Sequence, residues 1–165
     1  MKSAQIMLLI LFCSVACLAQ QKTKPCSANL LRAQVLGISL GMTKAAVSKS
    51  MSGIVAKSQS DGTEIAGYNN FEDKTRFAGV RQMNLHFFRN ALYRIGVQYD
   101  ETVEAGNLMT FAGEISKGWG IREKWSEARL TTTIECRQRT ALLTHNKDFS
   151  LTDTLALERI NKPGR

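Results

Sequence analysis

The chain has 165 residues, 44% of them hydrophobic and 22% charged, with 22 Lys+Arg against 14 Asp+Glu and only 2 His. Such a length forms one ordinary domain that buries roughly two-thirds of its unfolded surface. The basic excess is scattered, and the densest stretch, Arg122 to Arg129, mixes both signs, so a solvated surface is expected and a nucleic-acid footprint is not.

Lys2 heads an almost wholly apolar run from Ile6 to Val15, and mostly small residues follow from Ala16 to Ala19. That is the layout of a secretory signal peptide cleaved after Ala19. The run is too short for a bilayer, which needs about 20 apolar residues. Residues 1–19 are thus expected to be a leader and residues 20–165 a single domain, delivered to the periplasm or secreted. Ser14-Val15-Ala16-Cys17 is also similar to a lipoprotein cleavage box, which would put an acyl chain on Cys17. Membrane attachment is expected only in that case.

Cys13 and Cys17 fall in or beside the leader, which leaves Cys26 and Cys136. An even pair in an exported chain predicts a Cys26–Cys136 disulfide. Their spacing, with only His86 and His145 to join them, fits no zinc site. No metal or cofactor is expected. The chain holds no Asn-x-Ser/Thr acceptor, which points to a bacterial source.

Gln20 to Pro25 is polar and expected to be loose. Ala33 to Leu40 is apolar, a short strand or a helical turn before Gly41. Thr43 reads as a helix N-cap, with Met42 and Val47 at hydrophobic-staple spacing and Gly53 as the stop. Lys57 to Asn70 carries an Asp61-Gly62 turn signal and reads as an exposed loop or hairpin tip. Val80 to Tyr99 predicts a β-hairpin: Met83, Leu85 and Phe87 alternate with polar residues, as do Tyr93, Ile95, Val97 and Tyr99 after the turn at Arg89-Asn90-Ala91.

Thr102 to Lys117 predicts a helix with Leu108, Phe111, Ala112 and Ile115 on one face, capped by Thr102, with Glu104 in its first turn and Gly118 as its stop. Trp119 to Arg129 has no decisive period. Thr131–Cys136, Thr140–Thr144 and Leu151–Ile160 read as strands, His145 to Asp148 as a turn, and Asn161 to Arg165 as a tail. Helix, hairpin, helix and meander in that order predict an α+β fold, an antiparallel sheet with helices packed on one face. The two helix-then-strand halves hint at a repeat that residue identity does not support.

Gly41-Met42-Thr43-Lys44 has only Gly37 upstream, and Gly118-Trp119-Gly120 lacks a third glycine. Neither meets a Walker or dinucleotide pattern, so both are punctuation. The stretch Ile38-x-Leu40-Gly41-Met42-Thr43-x-x-x-Val47 resembles the Gly-Met-Thr opening of the SmpA/OmlA (BamE-like) family and, more broadly, the β-lactamase-inhibitor-protein-like fold. That resemblance implies a small envelope domain, non-catalytic, that binds another envelope protein. The chain departs from the family after the helix, where Gly53 is followed by Ile54-Val55 in place of Gly-x-Pro.

No catalytic residues are assigned. His86 falls on the polar face of the hairpin and His145 in a turn, while the acid pairs Glu72-Asp73 and Asp100-Glu101 are adjacent, so their side chains diverge. A small hydrolase or ligand carrier would need a cleft with one of these histidines near an acid. A module for anionic lipid or polymer would need a contiguous Lys/Arg face. A protein-binding surface would use apolar groups without a core role, and Phe88, Leu92, Trp119 and Trp125 are the candidates.

Overall fold

The computed structural model describes residues 24–51, 54–69, 78–103 and 106–162. The leader, Cys17, Gly53, Glu72-Asp73, Glu104 and the last three residues lie outside them. Helices α1 (Ala28–Leu31) and α2 (Lys44–Ser50) precede strands β1 (Ala56–Ser58), β2 (Thr63–Tyr68), β3 (Val80–Phe88) and β4 (Ala91–Tyr99). Helix α3 (Leu108–Trp119) then leads into β5 (Ser126–Glu127), β6 (Thr131–Glu135), β7 (Arg139–Thr144) and β8 (Asp148–Asp153), and α4 (Thr154–Asn161) closes the order.

All the strands form one eight-stranded sheet in the order β1-β2-β3-β4-β8-β7-β6-β5. Every neighbouring pair is antiparallel. Each half of the chain is a helix followed by a four-stranded meander, and the halves join where β4 pairs with β8. This corrects the expected fold class. The molecule is a sheet-dominated β protein whose described helices have only 4, 7, 12 and 8 residues, not an α+β layer of helix over sheet.

The correction has local causes. Of Leu151–Ile160 only Leu151–Asp153 are strand, as the end of β8: Asp153 Oδ1 accepts from the Ala156 amide at 2.9 Å, and this cap starts α4 at Thr154. The helix expected from Thr102 instead starts at Leu108. Asn107 caps it through the Thr110 amide at 2.8 Å, and Gly120, at φ 71°, ends it. Thr102 is held in a turn by Asp100 Oδ1, which accepts from its amide and its hydroxyl. Asp61-Gly62 is the tip of a hairpin, as its turn signal suggested, but the flanks read as loop are strands β1 and β2, and β5 lies in the segment without a period.

Thr43 does cap α2, accepting from the Ala46 amide at 3.2 Å. Just before it the chain pairs with the start of β4: the Gly41 amide donates to the Leu92 carbonyl at 2.7 Å and the Leu92 amide to the Met42 carbonyl at 2.9 Å. The Gly-Met-Thr joint is thus an extra rung beside the hairpin.

Cross-strand pairing sorts the two faces. One row, Ala66–Leu85–Ile95–Leu151–Ala141–Ile134, crosses six strands, and every member is buried. A parallel row holds Met83, Val97, Phe149 and Leu143. On this face α3 sets Phe111 against Tyr99 with centroids 5.0 Å apart and Trp119 against Phe149 at 4.5 Å, both edge-on. Near α2, Lys44 pairs with Glu64 at 2.7 Å. The Cys26–Cys136 disulfide is present, with Cα atoms 5.0 Å apart, and ties the segment before α1 to the β6–β7 turn. Gln138 extends the tie by accepting from the Cys26 amide at 3.0 Å.

Candidate functional site

The face of the sheet opposite the core is lined by the alternate residues of each strand. One row runs Gly67–Asn84–Gly96–Ser150–Leu142. The row on one side is Ile65–His86–Arg94–Thr152–Thr140, and on the other side Gln82, Gln98 and Asp148 are paired. Because Gly96 has no side chain, the middle row dips there. The result is a depression of about 300 Å³ bounded by Asn84, His86, Arg94, Gln98, Asp148 and Ser150.

A β-bulge shapes one side of it. His86 pairs with Arg94 but Phe87 pairs with Leu92, so Tyr93 is the extra residue. The insertion turns Leu92 inward, where it is 1% exposed, and sets Tyr93 beside His86 with ring centroids 5.9 Å apart. This reverses the alternation expected for those two residues. Burial, aided by the Arg94 charge, holds the His86 imidazole below the usual histidine range, so it is neutral at pH 7. Burial and the Asp61 carboxylate push the Tyr93 phenol up.

The four apolar candidates do not gather into one exposed patch. Leu92 belongs to the core. Trp119 is 9% exposed and set edge-on against Phe149. Trp125 is partly buried, donates its indole N–H to Ser116 Oγ at 2.8 Å and lies 6.5 Å from the Phe149 ring. Phe88 stands at the hairpin end with the Arg89 guanidinium 5.2 Å above its ring. Bulge formation and tryptophan burial are tertiary outcomes that alternation alone does not reveal. The depression has a signal in the sequence: a glycine in mid-strand, Gly96, with polar Arg94 and Gln98 on either side of it in the alternation.

His145 lies at the β7–β8 turn beside a hollow of about 480 Å³ lined by Arg81, Tyr99, Lys147 and Asp148, which adjoins the depression through Gln98 and Asp148. Among the described residues neither histidine has a carboxylate within hydrogen-bond reach, and no three His, Cys, Asp or Glu side chains are placed to hold a metal. Among the described residues, the lining of the depression carries both Arg94 and Asp148 and no field of Lys and Arg. No described helix is long and apolar enough to cross a membrane.

Neither a family model nor a curated protein matches the sequence. Among solved structures the chain is similar to an extracellular protein containing a SCP domain from Bacillus anthracis str. Ames, at 13% identity and a TM-score of 0.44. The match covers 86% of this chain and 52% of that one, so the chain spans about half the length of that structure. A likeness this loose carries no functional argument.

Proposed function

We propose that the protein is an exported, non-catalytic binding module that receives another envelope protein on the open face of its sheet. The observation that carries this reading is a sheet face that no described element covers. The two central strands, β4 and β8, present a polar depression on it instead of a second layer. A leader-like N-terminus and a disulfide support export, since disulfides persist in oxidising compartments.

The test places a photo-crosslinking residue at Leu142 or Gln98 on the open face, and at Lys49 on the exposed side of α2, in cells that export the protein. Partner adducts from the two sheet positions and none from Lys49 are expected. Identical adducts from all three positions overturn the reading. Intact mass of the exported protein separates cleavage after Ala19 from acylation at Cys17.

A further inference from the structure

The two glycines of the open-face row have no backbone reason to be glycine. Neither Gly67 nor Gly96 has a positive φ. A Cβ on Gly96 would lie 3.6 Å from the Asn84 Cβ and carbonyl oxygen, an ordinary contact, and a Cβ on Gly67 would meet nothing within 4 Å. Glycine inside a strand weakens it and marks a place where a ligand or another backbone comes close. Gly96 sits in the row between Asn84 and Ser150, so its missing side chain opens the depression there as a trench that continues to Leu142, while Gly67 lies beyond Asn84 and does not line it. From Asn84 to Leu142 it crosses three strand spacings, about 14 Å, the reach of roughly four extended residues.

Its walls make opposite demands. Arg94 is exposed and, among the described residues, has no ion-pair partner; a guanidinium only donates. Asp148, two rows away across the trench, has a carboxylate without a hydrogen-bonding partner among the described residues, and it only accepts. Lys147 beside it directs its ammonium to the Glu101 and Val103 carbonyls at 3.0 and 2.6 Å. On the floor, Asn84 Oδ1 accepts from Gln82 Nε2 at 2.9 Å, which leaves the Asn84 amide N–H groups for a ligand carbonyl. Successive side chains of an extended chain point to opposite sides and so reach the two walls in turn.

Resting on the binding-module reading, we infer that the trench seats an extended peptide segment of the partner laid across the strands. One carboxylate side chain lies against Arg94, and the next residue donates a hydrogen bond to Asp148.

The exported, disulfide-bonded protein is used to select a phage-displayed library of random heptapeptides. Wild type enriches sequences with Asp or Glu next to Lys, Ser, Thr, Asn or Gln. Arg94→Glu converts the acidic preference to a basic one. Gly96→Gln, which fills the trench, lowers retention of the selected peptides about tenfold, the scale of one charge-assisted contact. Gly96→Ala, checked by circular dichroism and disulfide content, shows that the strand accepts a side chain. An absent acidic preference, or one that survives both Arg94→Glu and Gly96→Gln, overturns the inference. So does binding of chito-oligosaccharides that Gly96→Gln blocks while no peptide is selected, which would assign the trench to a sugar. If open-face crosslinks persist while the library shows no preference, the trench inference falls and the binding-module reading stands; the reverse pattern removes that reading and keeps the trench.

Discussion

The two halves of the sheet share a topology and reach it by different means. In the first half, β3 and β4 are nine residues each and turn on Arg89-Asn90, both at positive φ, in a tight two-residue hairpin. Its helix, α2, has seven residues and buries only Val47. In the second half no strand exceeds six residues. That half leans on α3, which buries Phe111, Ala112, Ile115 and Trp119, and on the disulfide at the β6–β7 turn. Long strands with a local turn hold their own register, whereas short ones need a helix and a covalent tie.

The largest expected effect tests this directly. Removing the disulfide with Cys26→Ser and Cys136→Ser is expected to cost up to about 4–5 kcal/mol, because the closed loop spans 110 positions. In hydrogen exchange the loss should appear first in β6 and β7 and last in β3 and β4. Equal loss in both hairpins would break the comparison.

Next comes alkaline pH. Tyr99 is held against Phe111 across the two halves, and burial raises its phenol well above the ordinary value. An unfolded tyrosine ionises near pH 10. The folded chain keeps the proton longer, so stability is full below about pH 10 and falls as pH rises further, by at most about 1.4 kcal/mol per unit. Denaturant midpoints measured against pH should show this slope, and Tyr99→Phe should reduce it to the smaller share that the raised Tyr93 phenol supplies.

The smallest effect separates the two helices. Asn107→Ala is expected to cost about 1 kcal/mol and Thr43→Ala a few tenths, since more of the core rests on α3 than on α2. Thermal midpoints that reverse this order would show that the first half also depends on its helix.

The legible parts of the fold were those with local signals. The β3–β4 hairpin followed from strict alternation, and the Thr43 cap and the cysteine pair from residue type and position. The short strands β1, β2 and β5 were hidden because few residues in them are apolar, and α4 because its leucines also fit a strand pattern. The candidate site was half legible. His86 was placed on the polar face, but the bulge that sends Leu92 inward and Tyr93 outward depends on pairing with β3, which the β4 residues do not announce. Without strand order, Gly67 and Gly96 could not be seen as neighbours of Asn84.

A final consequence concerns the borders of the sheet. An open row of backbone amides invites another chain to add itself as a new strand. Here the outermost strands are β1, with three residues, and β5, with two. Among the described residues such truncated rims give a would-be ninth strand little to zip onto, so the sheet resists stacking edge-to-edge into fibres.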